Sequence, residues 1–112
     1  MKDLAREAAK SLDTLPYTVV YQSPEEKKTL PVVSYYLLEE ISSFSSDNTD
    51  SIIIGYIQAD VWAKAAAEVG RISAEAAAVM SADGWHRDFA RDMPPSDGVY
   101  HKTMRFCKEF VI

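Results

Sequence analysis

Two segments constrain the fold of this chain more than any other part: "SIIIGYIQADVWAK" at Ser51–Lys64 and "GVYHKTMRFCKEFVI" at Gly98–Ile112. Both alternate with period two, the pattern of a strand with two unlike faces. In the first, Ile53, Ile57, Ala59, Val61 and Ala63 share one side, with Gly55 in the same register. Ile52, Ile54, Tyr56, Gln58, Asp60 and Trp62 share the other. Its first half is apolar on both sides, which predicts a central strand. Gln58 and Asp60 predict a wetter face for its second half. In the last segment Tyr100, Met104, Phe106, Phe110 and Ile112 are expected to face a core, with His101, Thr103, Arg105 and Glu109 facing away. Lys102 and Lys108 break the apolar side and are expected near its edges, their stems lying along it.

Between these strands, Ala65–Asp83 has helical spacing. Ala65, Val69, Ile72, Ala76, Val79 and Met80 recur at steps of mostly three and four, against Glu68, Arg71 and Glu75. Gly70 lowers the local propensity by about 1 kcal/mol relative to alanine and is expected to mark close packing on the sheet. Gly84 is placed to cap the C-terminus. A second helix is expected over Lys2–Thr14, with an apolar stripe of Leu4, Ala8 and Leu12 flanked by Ala5 and Ala9. Asp3 would cap it and Pro16 would end it.

Further strands are expected at Tyr17–Tyr21, Pro31–Phe44 and Trp85–Arg91, the last with Trp85 and Phe89 on one side. Pro31–Phe44 alternates poorly. A strand touched on both faces, or a bulge near Glu39–Glu40, would explain that, and a helix through Leu37–Ser42 is the competing reading. Ser42–Asp50 reads as a polar loop, Glu25–Leu30 as part of an exposed charged turn, and Met93–Gly98 as a turn. The order αβββαββ predicts an α+β two-layer sandwich, a mostly antiparallel sheet of four to five strands packed by two helices. Residues 1–112 form one domain, long enough to bury roughly 65% of the surface of the unfolded chain.

Charge and cysteine content narrow the function classes. The net charge of -5, from 12 Lys+Arg against 17 Asp+Glu, argues against a general nucleic-acid binder, which needs a basic face to displace phosphate counterions. The single cysteine, Cys107, makes no internal disulfide and has no paired Cys/His spacing for zinc. The charged "MKDLAREAAKSL" start has no signal-peptide core, and no apolar run nears the ~20 residues that span a bilayer. A soluble protein is expected.

Candidate chemistry is sparse. His86 and Asp88, two apart on one strand, could orient a general base. No nucleophile is tied to them, and a solvated strand face is the simpler reading. His101 and Cys107 lie roughly 20 Å apart along a strand, too far to share a metal. Cys107 reads as a small, partly buried hydrophobe. Glu39 and Glu40 are adjacent and point to opposite faces. Asp47 and Asp50 lack the ligand spacing of a calcium loop. Four glycines provide no phosphate cradle. Tyr35, Tyr36, Tyr56, Trp62, Tyr100 and Phe106 could form a stacking platform for single-stranded nucleic acid. The acidic charge favours core or subunit-interface roles, for which aromatics suit well. No catalytic residue, cofactor or metal is predicted.

"YIQADVWAK" at Tyr56–Lys64, an Ala-rich helix, then "GVYHKTMRF" at Gly98–Phe106 together resemble the tail-completion or tail-terminator (head-tail joining) proteins of long-tailed bacteriophages. The likeness runs through Ile57, Asp60, Trp62 and Lys64, then Tyr100, His101, Lys102, Met104, Arg105 and Phe106. "PVVSYY" at Pro31–Tyr36 is similar to a further strand of that family. Ser42–Asp50 and Glu25–Leu30 match no family motif.

The resemblance implies a non-enzymatic virion protein, assembled in the bacterial host cytoplasm. It implies a homo-oligomeric ring, commonly hexameric, with the tail tube protein and the head-connector protein as partners. DNA would pass the lumen without specific binding, and negative charge there would repel phosphates. Asp60, Trp62, Lys64, Tyr100, His101, Lys102, Arg105 and Phe106 would be scaffold positions. The polar loops would carry the contacts, with Glu25, Glu26, Lys27, Lys28, Ser43, Ser45, Asp47, Asn48 and Asp50 as interface candidates. The alternative is a small α+β ligand-binding or regulatory module, dimeric through its sheet, with His86 and Asp88 lining its pocket.

Overall fold

A computed structural model describes residues 3–22, 29–44 and 51–111. The elements are α1 (Leu4–Leu12), β1 (Thr18–Tyr21), β2 (Val32–Phe44), β3 (Ser51–Ala63), α2 (Ala66–Ala82), β4 (His86–Ser96) and β5 (Val99–Val111). They form one five-stranded sheet in the order β1-β2-β3-β5-β4. The expected α+β order is present, with β3 central. Three neighbouring pairs are antiparallel, but β1 runs parallel to β2, from Thr18 beside Val32 to Tyr21 beside Tyr35.

Both helices cover one face. Asp3 caps α1 by accepting from the Arg6 N–H at 3.1 Å. Leu4, Ala8, Ser11 and Leu12 of α1, and Val69, Ile72, Ser73, Ala76 and Met80 of α2, are buried. They pack on Ile53, Ile57, Ala59, Val61 and Ala63 of β3, and on Met104, Phe106 and Phe110 of β5. Full burial of each large aliphatic side chain contributes about 1.5–3 kcal/mol. Gly55 makes room here: a Cβ on it would lie 2.6 Å from Leu4 Cδ1, so the Leu4 side chain would have to move. The small residue brings the start of α1 down onto β3. Gly70 marks no such approach, contrary to the expectation, because a Cβ there would meet nothing within 4 Å.

α2 ends in a Schellman arrangement. Gly84 adopts φ +91°, its N–H donates to Ser81 O at 3.0 Å, and the Trp85 N–H donates to Met80 O at 3.1 Å. This turn drives Trp85 into the core at 2% exposure. Phe89 does not join it. The β4–β5 register shifts between Arg87 and Phe89, so Asp88 is an extra residue and Phe89 emerges 42% exposed.

The remaining differences also concern strand ends and bulges. β2 has the bulge expected near Glu39–Glu40, at Leu38, and stays a strand to Phe44 rather than turning helical at Leu37–Ser42. Ser42, Ser43 and Phe44, where the expected strand Pro31–Phe44 and the expected loop Ser42–Asp50 overlapped, belong to the strand. β4 continues through Pro94 and Pro95, where a turn was expected. An edge strand tolerates prolines, and a second register shift between Met93 and Ser96 absorbs them. The turn is only Asp97–Gly98, with φ 53° and 76°, a two-residue type I′ hairpin. Tyr100 lies at the rim, 36% exposed, rather than in the core. Ile112 is outside the described residues.

The radius of gyration is 15.2 Å, against roughly 13 Å for an ordinary domain of this length. Long strands explain the excess. β2, β3 and β5 run past the last β4 pairing at His86–Cys107 as a three-stranded extension.

Candidate functional site

The face of the sheet opposite the helices carries a connected polar and aromatic cluster. Trp62 pairs with His101 across β3 and β5, and with Val32 across β3 and β2. The indole and imidazole rings stack 3.6 Å apart with a 13° interplanar angle. His101 Nε2 lies 2.7 Å from Asp60 Oδ1, and Gln58 Nε2 donates to Asp60 Oδ2 at 3.3 Å. The Trp62 Nε1–H donates to Ser34 Oγ at 3.2 Å. Period-two alternation on adjacent strands produces this convergence, since Ser34 is opposite Asp60. Asp60 is buried, not wet as its position suggested, because these neighbours enclose it.

A shallow cleft of about 440 Å³ flanks the stack, lined chiefly by Trp62, His101, Met93, Pro94 and Val99. A His–Asp pair can orient a general base. Here the ring lies flat on Trp62, and the cluster's hydroxyl, Ser34 Oγ, already accepts from Trp62. The arrangement joins four side chains, Asp60, Trp62, His101 and Ser34, by stacking and hydrogen bonds. Among the described residues no group of three or more His, Cys, Asp or Glu side chains is placed to hold a metal ion.

Arg105 lies further along the same face. Its Nε donates to Asp88 Oδ1 at 3.1 Å, and its guanidinium sits 5.4 Å from the Phe89 ring centre. Asp88 thus serves Arg105 rather than His86, which is opposite Cys107. Burial first, then the Asp88 carboxylate, push the Cys107 thiol above its ordinary range, with Arg105 opposing.

The other motif residues disperse. Phe106 is in the core, and Lys64 is exposed just before α2. Lys102 lies on the helix side near Asp92, at 3.9 Å. Lys108 lies along the core edge as expected, its Nζ donating to Asp83 O at 2.6 Å and resting 5.1 Å from the Phe110 ring centre. Among the loop candidates, Glu25, Glu26, Lys27, Lys28, Ser45, Asp47, Asn48 and Asp50 lie outside the described residues, and Ser43 is in β2. Sequence reading did not join Asp60, Trp62 and His101. The signal was available in the alternation, but only pairing β3 with β5 in this register reveals it.

The fold has a solved counterpart. This chain is similar to a chain of a structure described as "Virion of native gene transfer agent (GTA) particle", at TM-score 0.57 and 19% identity. The superposition covers 94% of this chain and 84% of that one, so it takes in nearly the whole element order. At this identity the likeness establishes a shared fold. No family model and no curated protein matches the sequence.

Proposed function

We propose that this protein is a structural component of a phage-like virion, and within that class a tail-completion or tail-terminator protein. In this reading it caps the tail tube, meets the head connector and acts as a ring of identical copies, with DNA passing through the lumen. The observation that carries the reading is the shared fold, across 94% of the chain, with a chain of a virion particle. The motif resemblance through Asp60, Trp62, His101 and Arg105 supports it independently, since the first three meet in one cluster on the sheet face opposite the helices. A face stiffened by stacking and hydrogen bonds suits permanent contacts, because little conformational entropy remains to be lost there. The net charge of -5 suits a surface along which DNA slides.

The test is disruption of the gene in the phage or prophage that encodes it. Electron micrographs should show filled heads separated from tails, or tails of irregular length. Joined particles at normal yield would refute the role. A second reading, a ligand-binding module, has the cleft beside Trp62 and His101 in its favour. It predicts a small-molecule thermal shift that Trp62→Ala abolishes, together with undisturbed particle assembly.

A further inference from the structure

We propose that the outer half of β2 is a docking edge for the His86–Met93 part of the β4 edge of a second copy of this chain, paired antiparallel with Ile41 beside Phe89 and Glu39 beside Arg91. This deepens the assembly reading and rests on it for the premise that copies associate.

β1 covers only Val32–Tyr35 of β2, and the Gln22 N–H closes that ladder on Tyr35 O. Among the described residues nothing pairs with the outer edge of β2 from Leu38 to Phe44, or with that of β4. Such edges present rows of N–H and C=O groups to any strand that fits. Charges on an edge usually blunt it. Here the two edges carry opposite ones.

Glu39 and Glu40 are exposed on β2, and Arg87 and Arg91 on β4. None of the four meets an opposite charge among the described residues. Asp88 of β4 is engaged by Arg105 at 3.1 Å, and Asp92 lies on the helix face, 3.9 Å from Lys102. On the face opposite the helices the uncommitted charge of β4 is therefore positive, from Arg91, in a chain of net charge -5. Two β2 edges paired with each other about Ile41 would set Glu39 beside Ser43 and Glu40 beside Ser42, leaving both glutamates without a cation.

The faces agree as well. Ile41 and Glu39 share the face opposite the helices with Ile54 and Tyr56, and Phe89 and Arg91 share it through Arg105 and Thr103. Ile41 is 43% and Phe89 42% exposed, so one register buries both and joins Glu39 to Arg91. β2 and β4 are separated by three antiparallel pairings, so they run in opposite directions. Copies with aligned sheets meet antiparallel. The contact is heterologous, which closes into a ring or continues as a filament. Ile41 is level with Ile54, and Phe89, through Arg105, with Gln58. Each copy is thus offset by about 13 Å along the strands at ~3.3 Å per residue, and strand stagger of this kind accompanies sheet closure.

The test is oxidative cross-linking of the full chain in a Cys107→Ser background. Ile41→Cys with Phe89→Cys in one chain should give a ladder of oligomers, and neither single variant should give one. A dimer from Ile41→Cys alone would overturn the inference in favour of like-edge pairing. An oligomer by light scattering with no cross-link would overturn this surface while leaving the assembly reading standing. A chain that stays monomeric at high concentration would also overturn the inference, since both edges are present in the free chain; the gene-disruption assay then decides the virion role separately. As a second arm, Glu39→Arg should weaken self-association about tenfold, and Arg91→Glu in the same chain should restore it. Failure of that restoration would count against the pairing.

Discussion

Asp60 is the position where the structure makes the sharpest energetic statement. It accepts from Gln58 and pairs with His101 at 2.7 Å while only 7% exposed. Asp60→Ala removes both contacts and leaves His101 Nε2, in a side chain only 18% exposed, without its partner. A hydrogen bond to a charged or buried partner is worth about 1.5–3 kcal/mol when the survivor stays buried. Gln58 is half-buried and can turn to water, so about 2 kcal/mol is the expected loss. An unfolding entropy of about 2.1 cal/mol/K per residue, over 112 residues, converts this to a fall in Tm of roughly 8 °C. Calorimetry measures that shift, and urea unfolding should show a lower midpoint at unchanged slope.

The control is a double-mutant cycle with His101→Ala. If the pair carries the cost, the two losses should overlap by about 1 kcal/mol or more. Asp60→Asn keeps an acceptor and should cost about half as much. Emission from Trp62 should also change, because its stacking partner is then free to reorient, while Trp85 in the core reports no difference. A loss below about 0.5 kcal/mol with additive singles would refute the view that this cluster is a built, rigid unit.

Further outcomes follow from other positions. Gly84→Ala should cost about 1–2 kcal/mol, since an L side chain at φ +91° is strained; a neutral result in urea unfolding would contradict the Schellman account. The Trp85 Nε1–H is buried without an acceptor among the described residues. Trp85→Phe should therefore cost under about 1.5 kcal/mol, against about 3–5 for Trp85→Ala, and equal losses would show that the indole N–H is satisfied. Stability should fall on the alkaline side: burial raises the Cys107 thiol and, with the nearby Asp13 carboxylate, the Tyr35 phenol. The unfolded chain loses these protons first, so the decline begins near pH ~8.5 for the thiol and ~10 for the phenol, and Cys107→Ser should remove the first part of it. Chemical unfolding from pH 7 to about 11 checks both parts.

The helices and the central strand were legible because burial imposes its period directly on sequence. Leu4, Ala8 and Leu12 share one stripe, and Ile53, Ile57, Ala59, Val61 and Ala63 one strand face, and each set is buried as the spacing required. Asp60 was misread for a related reason. Alternation specifies a side, not what covers it, and Asp60 is covered by side chains from β3, β5 and β2. Gly70 was misread because a missing side chain signals either close approach or nothing. Gly55, in the same chain, is the close approach. The parallel β1–β2 pairing left no mark, since a four-residue strand carries too little pattern to set its direction.

The two bulges explain why the proposed edges were invisible to periodicity and why they would work. Before Leu38, the even positions of β2 face outward from the helices; after it, the odd positions do, bringing Glu39 and Ile41 to the open face. Asp88 does the same in β4, moving the open face from His86 to Phe89, Arg91 and Met93. Without these insertions the open edges would show Glu40 against Asp88, Ala90 and Asp92, an acidic edge meeting another. With them, one edge shows a glutamate and an isoleucine, and the other an arginine and a phenylalanine. A bulge costs a ladder position locally, and it changes the parity of everything after it. With the helices packed on one face, that parity decides which residues of β2 and β4 point to the other face, where the proposed edge pairing would use them.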